Sequence, residues 1–422
     1  MSDSAKQSNS TGSTTRRWTL ATAFFAVFVF ASAFSIAAAQ IALGLSLLVF
    51  LASSGWRVWP TFPPPVKRVL TAAGLYIGWL GISSLVNDRP LESLDTMREE
   101  WLFLIIPLGV ALMSRPGRSE FFSNILAAAI LLLSIFAVAQ HFTGAYWFSD
   151  HGLHTARGSY RLAGFFSHPL TFGNYLAAAT LFLAGLMVHL WRELSLRRHL
   201  LYLAAVAVGL AAMVLCNSRG PMAAVVVGLV TLGLTLRRAW YAVASALIIL
   251  LLFAVISPNV AGRFGELLRK DLRTDNPAGR VFIWSTSLDL IGDNPVFGVG
   301  PGNFSEEYTL RLPTDAPPRD RMGHAHSDFL NIAAVAGLPG LLLYLVVWVV
   351  VLRSLWRAWC NKDIPLAARR LSLAAIIGSV TFLASSLTEA VFADEEVREL
   401  LMFIWAAGLS AWVTLPDRHT ES

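Results

Sequence analysis

Charged residues are scarce in this chain. Of its 422 residues, 14% are charged and 55% are hydrophobic, whereas a soluble domain carries about 25% charged residues. This composition excludes a water-soluble protein of this length, and it excludes a disordered chain as well. Cysteine is scarcer still. Cys216 and Cys360 are the only two, which excludes a disulfide framework and a multi-cysteine metal site. Both lie in or beside apolar runs, so we interpret them as small core residues.

Long apolar runs, in contrast, are abundant. A helix needs about 20 apolar residues to cross the hydrocarbon core. Twelve runs approach this length, at residues 18–36, 38–55, 68–86, 99–114, 120–141, 168–190, 199–217, 220–236, 239–257, 327–352, 370–391 and 396–415. The first two are nearly continuous, so we expect a tight hairpin divided around 37–40. The sequence therefore predicts an all-α polytopic membrane protein with twelve transmembrane helices.

The placement of the charges predicts the orientation. With the N-terminus in the cytoplasm, the inner segments hold 19 of the 33 basic residues and six of the 27 acidic ones, a net charge of +13. The outer segments then sum to −7. Because cytoplasmic loops carry the excess of lysine and arginine, we predict both termini in the cytoplasm. The overall charge of +6 is then a sign of topology, and no nucleic-acid-binding motif accompanies it.

This topology divides the chain into five parts. They are an N-terminal tail at 1–17, helices one to nine at 18–257, a large outer loop at 258–326, helices ten to twelve at 327–415 and a C-terminal tail at 416–422. Loops as long as 258–326 are usually functional or disordered. Helical patterning at 265–272 and 281–291 and a glycine-rich turn at 298–302 predict that this one is ordered and packed over the membrane face.

Three arginines occupy predicted outer positions. Arg219 is the one basic residue of a short turn between two spans, Arg161 precedes Pro169 at the start of the sixth span, and Arg280 opens the helical stretch in the large loop. Ionisable residues at membrane depth are functional candidates, and guanidinium groups match phosphate oxygens. If the three converge, their natural partner is a lipid-linked phosphate or diphosphate. The alternatives are a snorkelling Arg219 and solvated loop arginines at the other two positions.

Histidine supplies the remaining chemistry. His324 and His326 lead into the tenth span, and an imidazole is the side chain best suited to move a proton near neutral pH. The alternative for His326 is an interfacial residue that bonds the helix start. A metal site at His324, His326 and Asp328 is a further alternative, which the spacing disfavours because it matches no standard helical site.

Acidic residues lie near the outer ends of the last two spans. Glu389 follows the eleventh span, where it could orient a base, pair with an arginine or be an isolated interfacial acid. We interpret the charged run 394–398 as a solvated helix start, because acids favour that end of a helix.

One spacing resembles a family signature. His326 and Ser327, then nine residues, then the run Gly337-Leu338-Pro339-Gly340 resemble the signature of bacterial O-antigen ligases. Twelve spans, cytoplasmic termini and a large loop before the histidine are similar to their membrane fold. The likeness covers most of the chain, most strongly 155–345. It extends to three arginine motifs of the wider superfamily, namely Arg161 with Gly164 and Pro169, the turn Ser218-Arg219-Gly220, and Arg280 with Trp284 and the turn Gly298-Val299-Gly300.

The resemblance implies an activity. It implies a GT-C-like, inverting, metal-independent glycosyltransferase without a cofactor, in the bacterial inner membrane, with the large loop and the active site in the periplasm. Such an enzyme transfers polysaccharide from undecaprenyl diphosphate to a sugar hydroxyl of lipid A-core. The expected partners are this donor, this acceptor, membrane lipids and other O-antigen assembly proteins, but no nucleic acid.

The resemblance also implies roles for the residues. Arg161, Arg219 and Arg280 would bind the diphosphate, and Arg280 would also stabilise the charge of the leaving group. His326 would receive the proton of the acceptor hydroxyl or hold that hydroxyl for attack on the anomeric carbon, with Glu389 and His324 in support. The remaining motif residues, Ser327, Gly337, Gly340 and Pro169, would be structural.

Two other functions remain open from the sequence. An O-antigen polymerase would use the same donor with a different acceptor. A secondary transporter would use the arginines to bind an anionic solute, but transporters usually place their polar groups near the midplane on broken helices. The candidates here lie at the outer ends of the spans, which disfavours transport.

Overall fold

The computed structural model describes residues 18–144, 155–156, 159–160, 162–236, 279–314, 317 and 321–414. Helices dominate these ranges. They are α1 (Trp18–Ala31), α2 (Ile36–Ala52), α3 (Pro64–Val86), α4 (Pro90–Thr96), α5 (Ile105–Met113), α6 (Arg118–Thr143), α7 (Pro169–His189), α8 (Leu196–Cys216), α9 (Arg219–Thr235), α10 (Arg280–Asp293), α11 (Phe304–Thr309), α12 (Asp328–Cys360), α13 (Leu366–Ser386) and α14 (Glu395–Leu409).

The remaining elements are short. Four 3-10 helices cover Gly55–Thr61, Met97–Leu104, Val391–Ala393 and Ser410–Trp412. Two antiparallel strands, β1 (Thr155–Ala156) and β2 (Ser159–Tyr160), pair Thr155 with Tyr160.

Six of the described helices are long and apolar enough to cross a membrane, namely α3, α6, α7, α8, α12 and α13. A seventh span results if α2 and the 3-10 helix after it, which are bent by 82°, count as one. The helices α1 and α9 are apolar but shorter. These elements are those of a polytopic membrane protein. The count of twelve spans and the GT-C-like arrangement remain predictions, and the expected span at 239–257, the loop segment 258–278 and the two tails lie outside the described residues.

Three predicted elements differ in the structure. The first hairpin divides at 32–35 rather than 37–40, because the hydroxyl of Ser35 accepts a hydrogen bond from the Ala38 amide at 3.3 Å and caps α2 there. The run 99–114 is a 3-10 helix followed by the nine-residue α5 rather than one long helix. The run 396–415 contains the 15-residue α14, in which every residue from Val397 to Leu409 is buried. A helix that is buried by neighbouring protein is apolar on every face whatever its length. This explains how the apolar run can contain a helix too short to span a membrane.

The centre of the bundle is formed by α7, α13 and α14. Side chains of α7 are buried all round, as expected of a helix that is apolar on every face, and α13 packs against α7, α9, α12 and α14. Small residues permit this packing. A Cβ on Gly185 of α7 would lie 3.0 Å from the Ala374 backbone of α13.

The glycine-rich turn at 298–302 docks onto a break in α12. At the break, Gly337 has φ 71° and ψ 179°, and Pro339 has no amide hydrogen to offer to Val335. The turn replaces the missing donors, because Gly300 N–H donates to Val335 O at 2.9 Å and Val299 N–H donates to Ala334 O at 2.8 Å. The loop is thus attached to the helix through carbonyl groups that the break leaves without a helical partner.

Candidate functional site

A carboxylate and a histidine meet at one end of the bundle. His326 precedes α12 and Glu389 follows α13, and the Nδ1 atom of His326 lies 2.8 Å from Oε2 of Glu389. Glu389 is only 3% exposed. This pairing follows from the packing of α12 against α13, which brings the start of one helix to the end of the other.

Arg280 completes the same cluster from a third element. It is the first residue of α10, and its Nη2 donates to Oε1 of Glu389 at 2.5 Å. The carboxylate of Glu389 therefore binds a different side chain with each of its oxygens. The Nε atom of Arg280 is buried without a hydrogen-bond partner among the described residues, so the guanidinium retains a donor for a further group.

Electrostatics fix the protonation of this cluster. Burial raises the pKa of Glu389, but the hydrogen bonds and charges of His326 and Arg280 outweigh it and bring the pKa below its usual range. The carboxylate is therefore ionised at neutral pH and accepts the proton on Nδ1 of His326. The Nε2 atom is then left without a proton in the neutral ring, which is the tautomer that a general base requires.

The backbone around His326 is held by its neighbours. His326 has φ 48°, an uncommon left-handed conformation, and its amide donates to Nδ1 of His324 at 3.2 Å. The Ala325 amide donates to Oδ1 of Asn331 at 3.2 Å. Burial, followed by the neighbouring His326, lowers the pKa of His324 to about 4, and the charge of Glu389 only partly opposes this shift. His324 is thus a neutral ring that accepts through Nδ1, and its ring centroid lies 4.5 Å from that of His326.

The turn of Arg219 lies against the cluster. Arg219 is the first residue of α9, and a Cβ on the adjacent Gly220 would lie 3.2 Å from Oγ1 of Thr388 and 3.7 Å from Cγ of Glu389. Two of the three predicted arginines therefore belong to segments that contact Glu389. The third, Arg161, lies outside the described residues.

Pro169 begins α7 beside the same turn. Its carbonyl oxygen accepts from Sγ of Cys216 at 3.2 Å, and the preceding His168 caps the helix through Nδ1, which accepts from the Leu170 amide. His168 also lies close enough to His324 to lower its pKa. The sequence did not indicate His168 as a site residue, because a histidine before a proline is typical of an ordinary helix cap.

The motif residues after His326 anchor α12. Ser327 is the buried N-cap residue, although its side chain makes no capping bond. Asp328 is 1% exposed, and its two oxygens accept from the Phe392 amide at 2.9 Å and from the Tyr344 hydroxyl at 3.4 Å. Among the described residues, no group of three His, Cys, Asp or Glu side chains is arranged to hold a metal ion.

The charged run 394–398 is not a solvated helix start. Arg398 is 3% exposed, and its Nη2 and Nη1 atoms donate to Glu99 at 2.8 Å and to Glu100 at 3.0 Å. Burial also raises the pKa of Asp394 to about 7. The prediction was wrong because opposite charges at the ends of two distant apolar runs meet only when α14 packs against the 3-10 helix Met97–Leu104.

Comparison with known proteins gives one family match, over part of the chain. None of the curated proteins matches the chain. Residues 204–345 match the family described as O-Antigen ligase, a segment that holds Arg219, Arg280, His326 and the break in α12 but ends before Glu389. This match covers about a third of the chain and supports membership of the O-antigen ligase and polymerase superfamily.

Proposed function

We propose that this protein is an O-antigen ligase that transfers polysaccharide from undecaprenyl diphosphate to a sugar hydroxyl of lipid A-core. The observation that carries the proposal is the Arg280–Glu389–His326 cluster, in which an oriented imidazole and a guanidinium lie on either side of one buried carboxylate. Transfer of a glycan from a lipid diphosphate needs both a proton acceptor and a cation for the leaving group.

In the proposed reaction, the acceptor hydroxyl oxygen attacks the anomeric carbon of the donor. The new glycosidic bond forms as the bond between that carbon and the diphosphate oxygen breaks, with inversion. The hydroxyl proton passes to Nε2 of His326, and the resulting imidazolium is stabilised by Glu389 at 2.8 Å. The undecaprenyl diphosphate leaves as an anion.

The arginines bind that anion in this proposal. Arg280 holds Glu389 with one nitrogen and has a buried Nε without a partner among the described residues, so it can contact phosphate without releasing the carboxylate. Arg219 joins it from the start of α9. Arg161 is proposed as a third contact on the resemblance of its motif alone.

The sidedness of the site agrees with an enzyme of the periplasmic face. The end of the bundle opposite the cluster holds two pairs of basic and acidic residues. Arg198 and Glu120 pair at the starts of α8 and α6, and Arg370 at the start of α13 pairs with Glu193 in the segment before α8. Basic residues favour the cytoplasmic side. We therefore propose that the cluster lies at the periplasmic edge of the inner membrane. The proposed protein also has twelve spans in a GT-C-like arrangement, and both substrates enter its site from the lipid.

The experiment is reconstitution of the purified protein with undecaprenyl-diphosphate-linked glycan and lipid A-core in excess chelator. We expect glycan attached to lipid A-core by a bond of inverted configuration, and no need for a nucleotide or added cofactor. Lengthening of the glycan without transfer to the core would identify a polymerase instead. Dependence on an added divalent metal would contradict the metal-independent mechanism.

A further inference from the structure

A cavity of about 230 Å³ lies on the other side of His324 from the proposed base. It is enclosed by α3, the 3-10 helix Met97–Leu104, the glycine-rich turn, the start of α12 and the start of α14. His324 is one of its lining residues, and the same ring packs edge-on against His326. Only the ring of His324 therefore separates the cavity from His326, the residue proposed to accept the proton.

Two charged atoms on residues that line this cavity have no hydrogen-bond partner within the described ranges. Arg398 uses both terminal nitrogens on Glu99 and Glu100, but its Nε atom is buried and unpaired. Oε2 of Glu100 is likewise buried and unpaired. Both residues line the cavity, and Arg398 is 3% exposed. Unpaired buried polar groups are uncommon and call for an explanation.

A sugar hydroxyl has the hydrogen-bonding groups that are complementary to these two atoms. One hydroxyl both accepts and donates, so it can accept from Nε of Arg398 and donate to Oε2 of Glu100. The rings of Tyr76, Phe304 and Phe392 supply apolar wall, which suits the C–H face of a pyranose. A small cavity with a few polar groups among aromatic walls is typical of a specific small-molecule site.

The charge of the cavity separates it from the diphosphate site. Two carboxylates, Glu99 and Glu100, pair with the single guanidinium of Arg398, so its positive charge is already compensated. Phosphate therefore gains less attraction there than on the Arg280 and Arg219 side of the cluster. The two sides of His326 thus differ in the charge of the ligand that they favour.

We infer that this cavity binds the uncharged acceptor sugar whose hydroxyl is glycosylated, and that Glu100 and Arg398 recognise a hydroxyl group of that sugar. The inference rests on the proposed ligase function. It names the side of His326 from which the acceptor approaches, and it predicts residues of α14 and of the 3-10 helix Met97–Leu104 as determinants of acceptor specificity.

Two variants of the full-length chain test the inference. Gly323 lines the cavity, and a Cβ there would meet no atom within 4 Å, so Gly323→Trp fills the cavity without disturbing its packing. Glu100→Gln keeps the shape of the side chain and removes its charge. Gly292→Trp is the matched control, because Gly292 is exposed on α10 with equally open surroundings.

The first measurement is binding of fluorescent lipid A-core to the protein in lipid nanodiscs, without donor. We expect Gly323→Trp and Glu100→Gln to weaken binding about ten-fold or more, and Gly292→Trp to bind like the wild type. Unchanged binding in Gly323→Trp would overturn the inference even if Glu100→Gln failed to fold. A wild type that binds lipid A-core but transfers nothing to it would contradict the ligase proposal and leave the acceptor site standing.

The second measurement is the steady-state transfer reaction. We expect the KM for lipid A-core to rise about ten-fold or more in both cavity variants, while the KM for the lipid-linked donor stays within about two-fold of the wild type. A rise confined to the donor KM would assign the cavity to the donor and overturn the inference.

Discussion

The Oε2 atom of Glu389 lies 2.8 Å from Nδ1 of His326, although the two residues are 63 positions apart in the chain. The carboxylate is held in place by Arg280 on its other oxygen. A buried carboxylate behind an imidazole fixes the tautomer of the ring and stabilises its protonated form. In the proposed mechanism, Glu389 acts through His326, as a positioning residue.

Glu389→Gln tests this relationship. The amide keeps the size of the side chain but removes the charge, so the imidazolium loses its stabilising partner. We expect kcat to fall about 100- to 10,000-fold with little change in the KM of either substrate, measured under saturating donor and acceptor. The control is Glu193→Gln, which removes a carboxylate paired with Arg370 at the opposite end of the bundle. A fall of less than two-fold in Glu389→Gln would show that the pair has no part in catalysis.

His326→Asn tests the proposed base without straining the chain. Asparagine tolerates the left-handed conformation that His326 adopts with φ 48°, but it cannot accept the hydroxyl proton. We expect transfer to fall about 100-fold or more while the thermal unfolding temperature stays close to that of the wild type. Measurement of both quantities on the same preparation separates loss of catalysis from loss of folding. Normal transfer in this variant would remove His326 from the mechanism.

Arg280→Lys tests the binding of the donor. Lysine keeps the positive charge, but its single nitrogen cannot hold Glu389 and phosphate with the geometry of a guanidinium. We expect the KM for the lipid-linked donor to rise about ten-fold. Arg311→Lys is the control, because Arg311 forms ion pairs with Asp293 and Glu307 at the surface of the loop. An unchanged donor KM in Arg280→Lys would argue against a diphosphate at this residue.

His324 is predicted to make the stability of the folded protein depend on pH. Its pKa is about 4 in the folded state and about 6.5 in an unfolded chain, so the folded state binds fewer protons between these values. Stability should therefore fall as the pH is lowered through this interval. Asp394 has a raised pKa of about 7 and therefore the opposite effect on stability. Only a comparison with a variant that lacks the His324 ring isolates the contribution of His324.

His324→Asn provides that comparison, because its amide oxygen can accept the His326 amide while the titrating group is gone. We expect the unfolding temperature of the wild type to drop more than that of the variant between about pH 7 and about pH 4.5. Parallel curves for the two proteins would contradict a buried, neutral His324.

Gly337→Ala tests the break in α12. An added Cβ would lie 2.0 Å from Val296 O, and the backbone has φ 71°, so both sterics and conformation oppose any side chain. We expect a loss of about 1–3 kcal/mol or more of stability, measured as a lower unfolding temperature. The control Gly78→Ala lies in α3 with no atom within 4 Å of its Cβ and should be neutral or slightly stabilising. Equal behaviour of the two variants would show that the break does not need glycine.

The packing partners of the charged residues could not be predicted from the sequence. The apolar run 396–415 predicted a transmembrane span, but in the structure every residue of α14 from Val397 to Leu409 is buried by protein. Hydropathy measures how apolar a segment is, and a segment packed inside protein is as apolar as one in lipid. The ion pairs of Arg398 could not be predicted for a similar reason. An arginine at the end of an apolar run does not indicate which glutamates it will pair with.

Composition and local spacing were enough to predict the membrane-protein class, the helical stretch at 281–291 and the histidine motif. The contact of Glu389 with His326 and that of Arg280 with Glu389 came only from the folded structure. So did the hydrogen bonds that the glycine-rich turn donates to α12. Each of these contacts joins residues of different helices, and only the packing of those helices sets the distance between their ends.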